Sequence, residues 1–282
     1  MSYNISSKQL SNPIIKKLLG ELRTYFDAIQ SEFYIIGATA RDITLSAINH
    51  LDVKRVTRDL DIAIAIPDWS KYDEISSGLT AIDGFYKSAK EKQLFWYKKD
   101  FKLDIVPFGE VAKADNSIYW PPEEEFAMSV VGFTEIVKDV ISVIIDEELE
   151  IKVASLPGIF ILKLAAFKDR GQEKSKHTDD MAYIITNYLD INIDRAVEYY
   201  YRELYDVEDF NTFVSSALLL GKDVKRILED NHEALDYFVE IIQNEIALEY
   251  ESLLINQMLE THSSLKYEEV LEALQKLLNE LR

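Results

Sequence analysis

Apolar residues recur at helical spacing over 14–29, where Ile14, Leu18, Leu19, Leu22, Phe26 and Ile29 fall on one side. A short apolar strand, Phe33-Tyr34-Ile35-Ile36, then stops at Gly37, and helical spacing resumes from Thr39 to about Asn49 with Ile43, Ala47 and Ile48 together. Leu60, Ile62, Ile64 and Ile66 alternate with Asp59, Asp61, Ala63 and Ala65, the two-residue period of a strand buried on at least one face. Pro67-Asp68 ends that strand, and Asp68 suits the N-cap of a following helix. Residues 93–98 and 101–108 read as antiparallel neighbours joined at Lys99-Asp100. Pro121-Pro122 and Glu123-Glu124-Glu125 mark a loop, and 140–145 with 150–153 form a hairpin around Asp146-Glu147-Glu148.

The pattern changes at Ser155-Leu156-Pro157-Gly158, a helix start with proline in the tolerated first turn. Helical spacing then dominates over 159–167, 181–188, 196–205, 210–220, 234–253 and 267–281. The aromatic groups Tyr199-Tyr200-Tyr201 and Tyr237-Phe238 lie on these helical stripes and read as core. The boundary falls within 150–157. The expectation is an α+β fold, with a mixed sheet flanked by helices over 1–154 and an all-helical domain over 155–282.

Composition narrows the setting. The chain has 282 residues, no cysteine and 48% hydrophobic residues, so it can bury two cores and excludes disulfides, thiolate catalysis and cysteine-held metals. No apolar run approaches the roughly 18–20 residues that span a bilayer. Met1-Ser2-Tyr3-Asn4 lacks the basic and apolar regions of a signal peptide. A soluble, cytoplasmic protein without a membrane partner is expected. Net charge is −19, with 18 basic against 25 acidic residues up to Ser155 and 13 against 25 beyond it. That field has the wrong sign for non-specific nucleic-acid binding, so a nucleic-acid substrate needs a local basic cleft.

Four segments carry candidate chemistry. Gly37-Ala38-Thr39-Ala40-Arg41-Asp42 joins a strand to a helix, where free N–H groups and the positive dipole end suit a triphosphate. Asp59 and Asp61, two apart on a strand, share a face and would repel without a cation between them; such hard oxygen ligands favour Mg²⁺. Asp104, set among Leu103, Ile105 and Val106, is a third acid that a neighbouring strand could bring to the same metals, giving a two-metal arrangement. Lys163 and Arg170, two turns apart on one helix with Phe167 between, could neutralise phosphate charge. Strand ends in solvent, an exposed strand face and a solvated basic stripe are the corresponding non-functional readings.

The order of glycine turn, Asp-x-Asp strand and Asp strand is that of the polymerase-β-type nucleotidyltransferase superfamily. More closely, residues 37–42, Thr57-Arg58-Asp59-Leu60-Asp61, 103–109 and 162–170 resemble the AbiEii/AbiGii-type toxin nucleotidyltransferases over roughly residues 30–190. The resemblance implies a polymerase-β-like domain that moves NMP from an NTP to an acceptor hydroxyl with Mg²⁺ or Mn²⁺. It implies Asp59, Asp61 and Asp104 as metal and phosphate ligands, and Lys163 as the essential lysine that follows the α/β domain. It further implies Asp180, in Lys176-His177-Thr178-Asp179-Asp180, as an acid that orients Lys163 or assists deprotonation. Candidate nucleotide-binding residues are Gly37, Ala38, Thr39, Arg41 and Arg170. In the toxin-like form that the resemblance implies, the acceptor would be the 3′ end of a tRNA, and a separate antitoxin would restrain the enzyme. Two positions depart from the pattern: Ala38 stands where a serine or glycine is usual, leaving Thr39 as the hydroxyl source, and His177 occupies the first acidic place of the later motif.

Other readings stay open. The acidic helical half favours a cationic acceptor, as in small-molecule, aminoglycoside-type nucleotidyl transfer. The opening turn also resembles that of CCA-adding enzymes, though no basic tail-binding body follows. A non-catalytic binding module on the same fold is a third possibility. His50, His232 and His262 have no second histidine or carboxylate at ligand spacing and read as surface or packing residues.

Overall fold

The computed structural model describes residues 2–49, 57–124, 127–170 and 176–282; Met1, His50 and Glu125, named above, lie outside them. The chain divides into two compact units, Met1–Ser155 and Leu156–Arg282.

In the first unit the elements run β1 (Ser2–Ile5), α1 (Ile14–Ala28), β2 (Tyr34–Ile36), α2 (Gly37–Asn49), β3 (Asp59–Ala65), α3 (Trp69–Thr80), β4 (Phe85–Lys87), β5 (Leu94–Tyr97), β6 (Phe101–Phe108), β7 (Ser117–Tyr119), β8 (Ala127–Ser129), α4 (Phe133–Ile136), β9 (Ile141–Ile145) and β10 (Leu149–Val153). Eight strands form one mixed sheet in the order β1-β9-β10-β2-β3-β6-β5-β4, and β7 pairs with β8 apart from it. The expected hairpins are present as β5–β6 and β9–β10. The fold class, α and β elements around a mixed sheet, is as the periodicity predicts.

Local signals explain the elements. Helix α1 buries Ile15, Leu18, Leu19, Leu22 and Phe26 on one stripe, and Phe26 packs on Phe33 at the entry to β2. The Asp68 carboxylate accepts from the Lys71 N–H at 3.0 Å, so the expected cap of α3 is made. Strand β6 carries Pro107 in mid-sheet without losing a ladder bond on its β5 side, because β5 pairs only with Phe101–Asp104.

The described residues of the second unit form α5 (Leu156–Arg170), α6 (Lys176–Ile191), α7 (Ile193–Leu204), α8 (Thr212–Leu228), α9 (His232–Ala247), α10 (Leu253–Thr261) and α11 (Tyr267–Leu281). Gly221 lets α8 and α11 approach closely: a Cβ there would lie 3.0 Å from the Glu280 Cβ and 3.1 Å from Leu277 backbone. Two expectations are corrected. The helix expected over 234–253 ends at Ala247, because Ser252 caps a new helix by accepting from the Ile255 N–H while Glu245 takes the Ser252 hydroxyl and the Leu254 N–H. Tyr199 and Tyr201 are exposed rather than core, whereas Phe238 is fully buried. No helix among the described residues is long and apolar enough to cross a membrane.

Candidate active site

Strands β3 and β6 run parallel in a register that sets Asp61 opposite Asp104 and Asp59 opposite Lys102. Side chains alternate along a strand, so these four share one face of the sheet. Leu60, Ile62, Leu103 and Ile105 go to the other face, where all are buried. Asp59 and Lys102 are exposed at the start of the two strands, and Asp61 and Asp104 are half-buried one step further in. The sheet therefore sets the three carboxylates that the sequence singled out on one face, and adds a lysine that it did not. Lys102 is visible as a candidate only once the register is known.

On the other side of β3, antiparallel β2 sets Ile36 opposite Asp61. The next residue, Gly37, has φ +72°, and a Cβ built on it would meet the Asp61 Oδ2 at 2.1 Å. Glycine is thus required twice, for the left-handed backbone and for the close approach. Helix α2 starts at that turn. Ala38 follows within its first turn and adds only a methyl group.

The structure reassigns two side chains of the turn. Thr39 is buried, and its hydroxyl donates to the Asp59 carbonyl at 3.0 Å, so it fixes the mouth of β3 rather than pointing at a ligand. The Arg41 guanidinium donates from Nε and Nη2 to the Asp42 Oδ1, at 2.9 and 2.6 Å, with both side chains largely buried. Thr57 donates to the other Asp42 oxygen at 3.4 Å. The cation of Arg41 is therefore offset locally, and the turn's remaining offering to an anion is its backbone N–H groups.

Among the described residues no group of three or more His, Asp or Glu side chains is gathered closely enough to hold a metal ion as it stands. That is compatible with the donor chemistry for a Mg²⁺-like ion, which is commonly held by one or two carboxylates and the substrate's own phosphates rather than by a protein cage. Asp61 and Asp104, adjacent across the ladder, fit such a role.

In the second unit, Lys163 Nζ lies 2.5 Å from Asp180 Oδ2, with only 14% and 9% of the two side chains exposed. The structure pairs the two residues that the resemblance named. The first turn of α6 is fixed by its other side chains. Thr178 donates to Gln257 Oε1 at 3.1 Å, and Asp179 Oδ1 meets His262 Nε2 at 3.2 Å. His262 thus does meet a carboxylate, 83 residues away, a partner that local spacing cannot reveal. Arg170, the last residue of α5, is exposed.

The glycine turn, the carboxylates on the sheet face and the helical Lys–Asp pair are the segments on which the sequence resemblance rests. The family described as "Nucleotidyl transferase AbiEii toxin, Type IV TA system" matches residues 22–275, and the chain belongs to it. It is a nucleotidyltransferase. No curated protein matches the chain. Among solved structures it is similar to the antibiotic-resistance factor ANT(2'')-Ia, with 14% identity, covering 68% of this chain and 92% of that one at a TM-score of 0.37. It is also similar to the Elizabethkingia meningoseptica CdnE cyclic dinucleotide synthase, solved with GTP and Apcpp, with 12% identity over 99% and 94% of the two chains and a TM-score of 0.27.

Proposed function

We propose that this chain transfers NMP from an NTP to a hydroxyl of an RNA 3′ end, such as that of tRNA, on a polymerase-β-like domain. The observation that carries the reading is the register of Asp61 on Asp104, with the Gly37 turn packed against the Asp61 carboxylate. Asp61 and Asp104, with Asp59 at the mouth of the strand, would hold Mg²⁺ or Mn²⁺ and, through it, the triphosphate; the ion would supply charge neutralisation and favour the ionised acceptor hydroxyl. In the transfer, the acceptor oxygen bonds to the α-phosphorus, the bond from that phosphorus to the bridging oxygen breaks, and pyrophosphate leaves with the β- and γ-phosphates. The hydroxyl proton passes to a carboxylate or to water. The N–H groups opening α2, with Gly37 and Ala38, orient the phosphates. By the family resemblance, Lys163 would offset phosphate charge and Arg170 would be a nucleotide-binding cation. The 2.5 Å contact with Lys163 supports Asp180 as the residue that positions the lysine rather than as a base. A cognate antitoxin that restrains the activity fits the type of family, and cytoplasmic location fits both.

A second reading rests on charge. The chain beyond Ser155 carries 13 basic against 25 acidic residues, which favours a cationic small acceptor of the aminoglycoside kind. One experiment separates the two. Purified protein is incubated with Mg²⁺, each α-labelled NTP, and either bulk tRNA or an aminoglycoside panel, alongside Asp61→Asn. Label on tRNA from wild type alone supports the first reading, and label on the cationic compound supports the second. Absence of transfer to either from a folded protein would sink both.

A further inference from the structure

The row of side chains that begins at Asp59 does not stop at Lys102. Across the next ladder Lys102 faces Trp96 of β5, and across the one beyond, Trp96 faces Tyr86 of β4. Register and alternation put Asp59, Lys102, Trp96 and Tyr86 on one face, in a line running from the carboxylates to the sheet edge. The inner row, Ile36, Asp61, Asp104 and Leu94, is capped at both ends by buried apolar residues. The outer row is open: Asp59 and Lys102 are exposed, Trp96 is half-exposed and Tyr86 is 53% exposed. Lys102 Nζ stands 5.6 Å from the centre of the Trp96 ring.

An exposed Tyr86 and a half-exposed Trp96 on an edge hairpin are not explained by core packing, since the core side of these strands is filled by Phe85, Phe95 and Tyr97. Arg58 and Lys102 are exposed beside Asp59 at this end of the sheet, in a protein of net charge −19. Trp96 stands two strands from Asp59, roughly 10 Å at the usual strand spacing. One nucleotide bridges such a span.

We propose that Trp96 and Tyr86 form a stacking platform for a nucleobase and that Lys102 takes an adjoining phosphate. The ligand chemistry is a base with a phosphate, supplied either by the incoming NTP or by the terminal nucleotide of an RNA acceptor. Stacking tolerates any base, because each has a π-face, while the lysine adds salt-dependent affinity. The proposal rests on the carboxylate reading of the site, since the row has a functional direction only if phosphates sit at Asp59 and Asp61.

The test measures equilibrium binding of each NTP, a short single-stranded RNA and inorganic tripolyphosphate, with divalent metal, to wild type, Trp96→Ala, Trp96→Phe, Tyr86→Ala and Asp61→Asn. Trp96→Ala is expected to weaken either the NTPs or the RNA by about ten-fold, with Trp96→Phe recovering most of the loss and tripolyphosphate unaffected. The arm that loses affinity identifies the source of the base. If Trp96→Ala and Tyr86→Ala leave both NTP and RNA affinity unchanged while Asp61→Asn still removes metal-dependent NTP binding, the platform is wrong and the carboxylate site stands. An equal loss of tripolyphosphate in Trp96→Ala would also overturn it, as the mark of a distorted site. If Asp61→Asn is silent too, both readings fall.

Discussion

The Asp61 carboxylate occupies the space that any side chain at Gly37 would need: a Cβ there would lie 2.1 Å from Oδ2 and 2.9 Å from the carboxyl carbon. Gly37→Ala therefore has two separable costs. The left-handed backbone, at φ +72°, is strained by about 1–2 kcal/mol for an L-residue. The collision must also be relieved by moving Asp61 or the turn. The expected outcome is a melting point lowered by a few degrees and an activity lowered at least about a hundred-fold, since positional errors near 1 Å cost rates of that order. Near-normal turnover in Gly37→Ala would show that Asp61 can move without consequence, against its proposed role.

Asp61 and Asp104 face each other on adjacent strands, and neutralising either should act on metal response more than on folding. Asp61→Asn and Asp104→Asn are nearly isosteric, so melting without divalent metal should stay close to wild type. Wild type with NTP should gain thermal stability on adding Mg²⁺, because ligands that bind only the folded state stabilise it. The single variants should lose most of that gain and at least about a thousand-fold in transfer, given the several kcal/mol that a metal supplies. An undiminished Mg²⁺-dependent shift in both variants would remove these carboxylates from the metal site.

The Lys163–Asp180 pair allows structural and catalytic roles to be told apart. Removing one partner of a mostly buried pair leaves a buried charge without its counter-ion, which costs about 3–5 kcal/mol. Lys163→Met or Asp180→Leu alone should destabilise the protein by that order, while the double substitution should regain much of it, since apolar replacement of both partners is often near neutral. Activity should stay lost in the double variant if Lys163 works on phosphate. Recovery of activity along with stability would reduce the pair to a structural strut.

Much of the first unit was legible because its signals are local. Alternation around Asp59 and Asp61 marked β3, and the Asp68 cap marked α3. The register of β3 on β6 was not legible: it depends on pairing between strands some forty residues apart, and it alone shows that Lys102 and Trp96 continue the row of Asp59. The short strands β1, β4, β7 and β8, of three or four residues, carry too little pattern to stand out from turns. In the second unit, periodicity ran straight through Ser252, since a break made by a hydroxyl and the distant Glu245 leaves the apolar spacing intact. The same periodicity misled at Tyr199 and Tyr201, because spacing gives a stripe but not whether a neighbour covers it. The closeness of Lys163 to Asp180 followed from family resemblance, not from any feature of the two segments alone.

Asp146 supplies a pH test that is independent of catalysis. It follows β9, and its carboxylate accepts from Lys16 Nζ and from the Ser7 N–H, both at 2.8 Å, tying the chain beyond β1 and the start of α1 to the β9–β10 turn. The Lys16 ammonium, and then Ser7, hold this carboxyl well below its ordinary value of 3.8. A depressed folded pKa means that the charged form is favoured in the fold. Its stabilisation is complete above the unfolded value near 4 and is lost as pH falls from there through the lower folded value. Lys16, raised from 10.5 chiefly by the same bond, contributes nothing to change in that acid window, because it stays protonated throughout. Asp146→Asn should therefore melt below wild type at neutral pH, with the gap narrowing once the pH drops under about 4. Melting curves of the two proteins from neutral pH down to about 2 read this directly. A gap that stays constant over the whole range would mean that the turn is held by shape and hydrogen bonding that asparagine cannot reproduce, and not by the charge on Asp146.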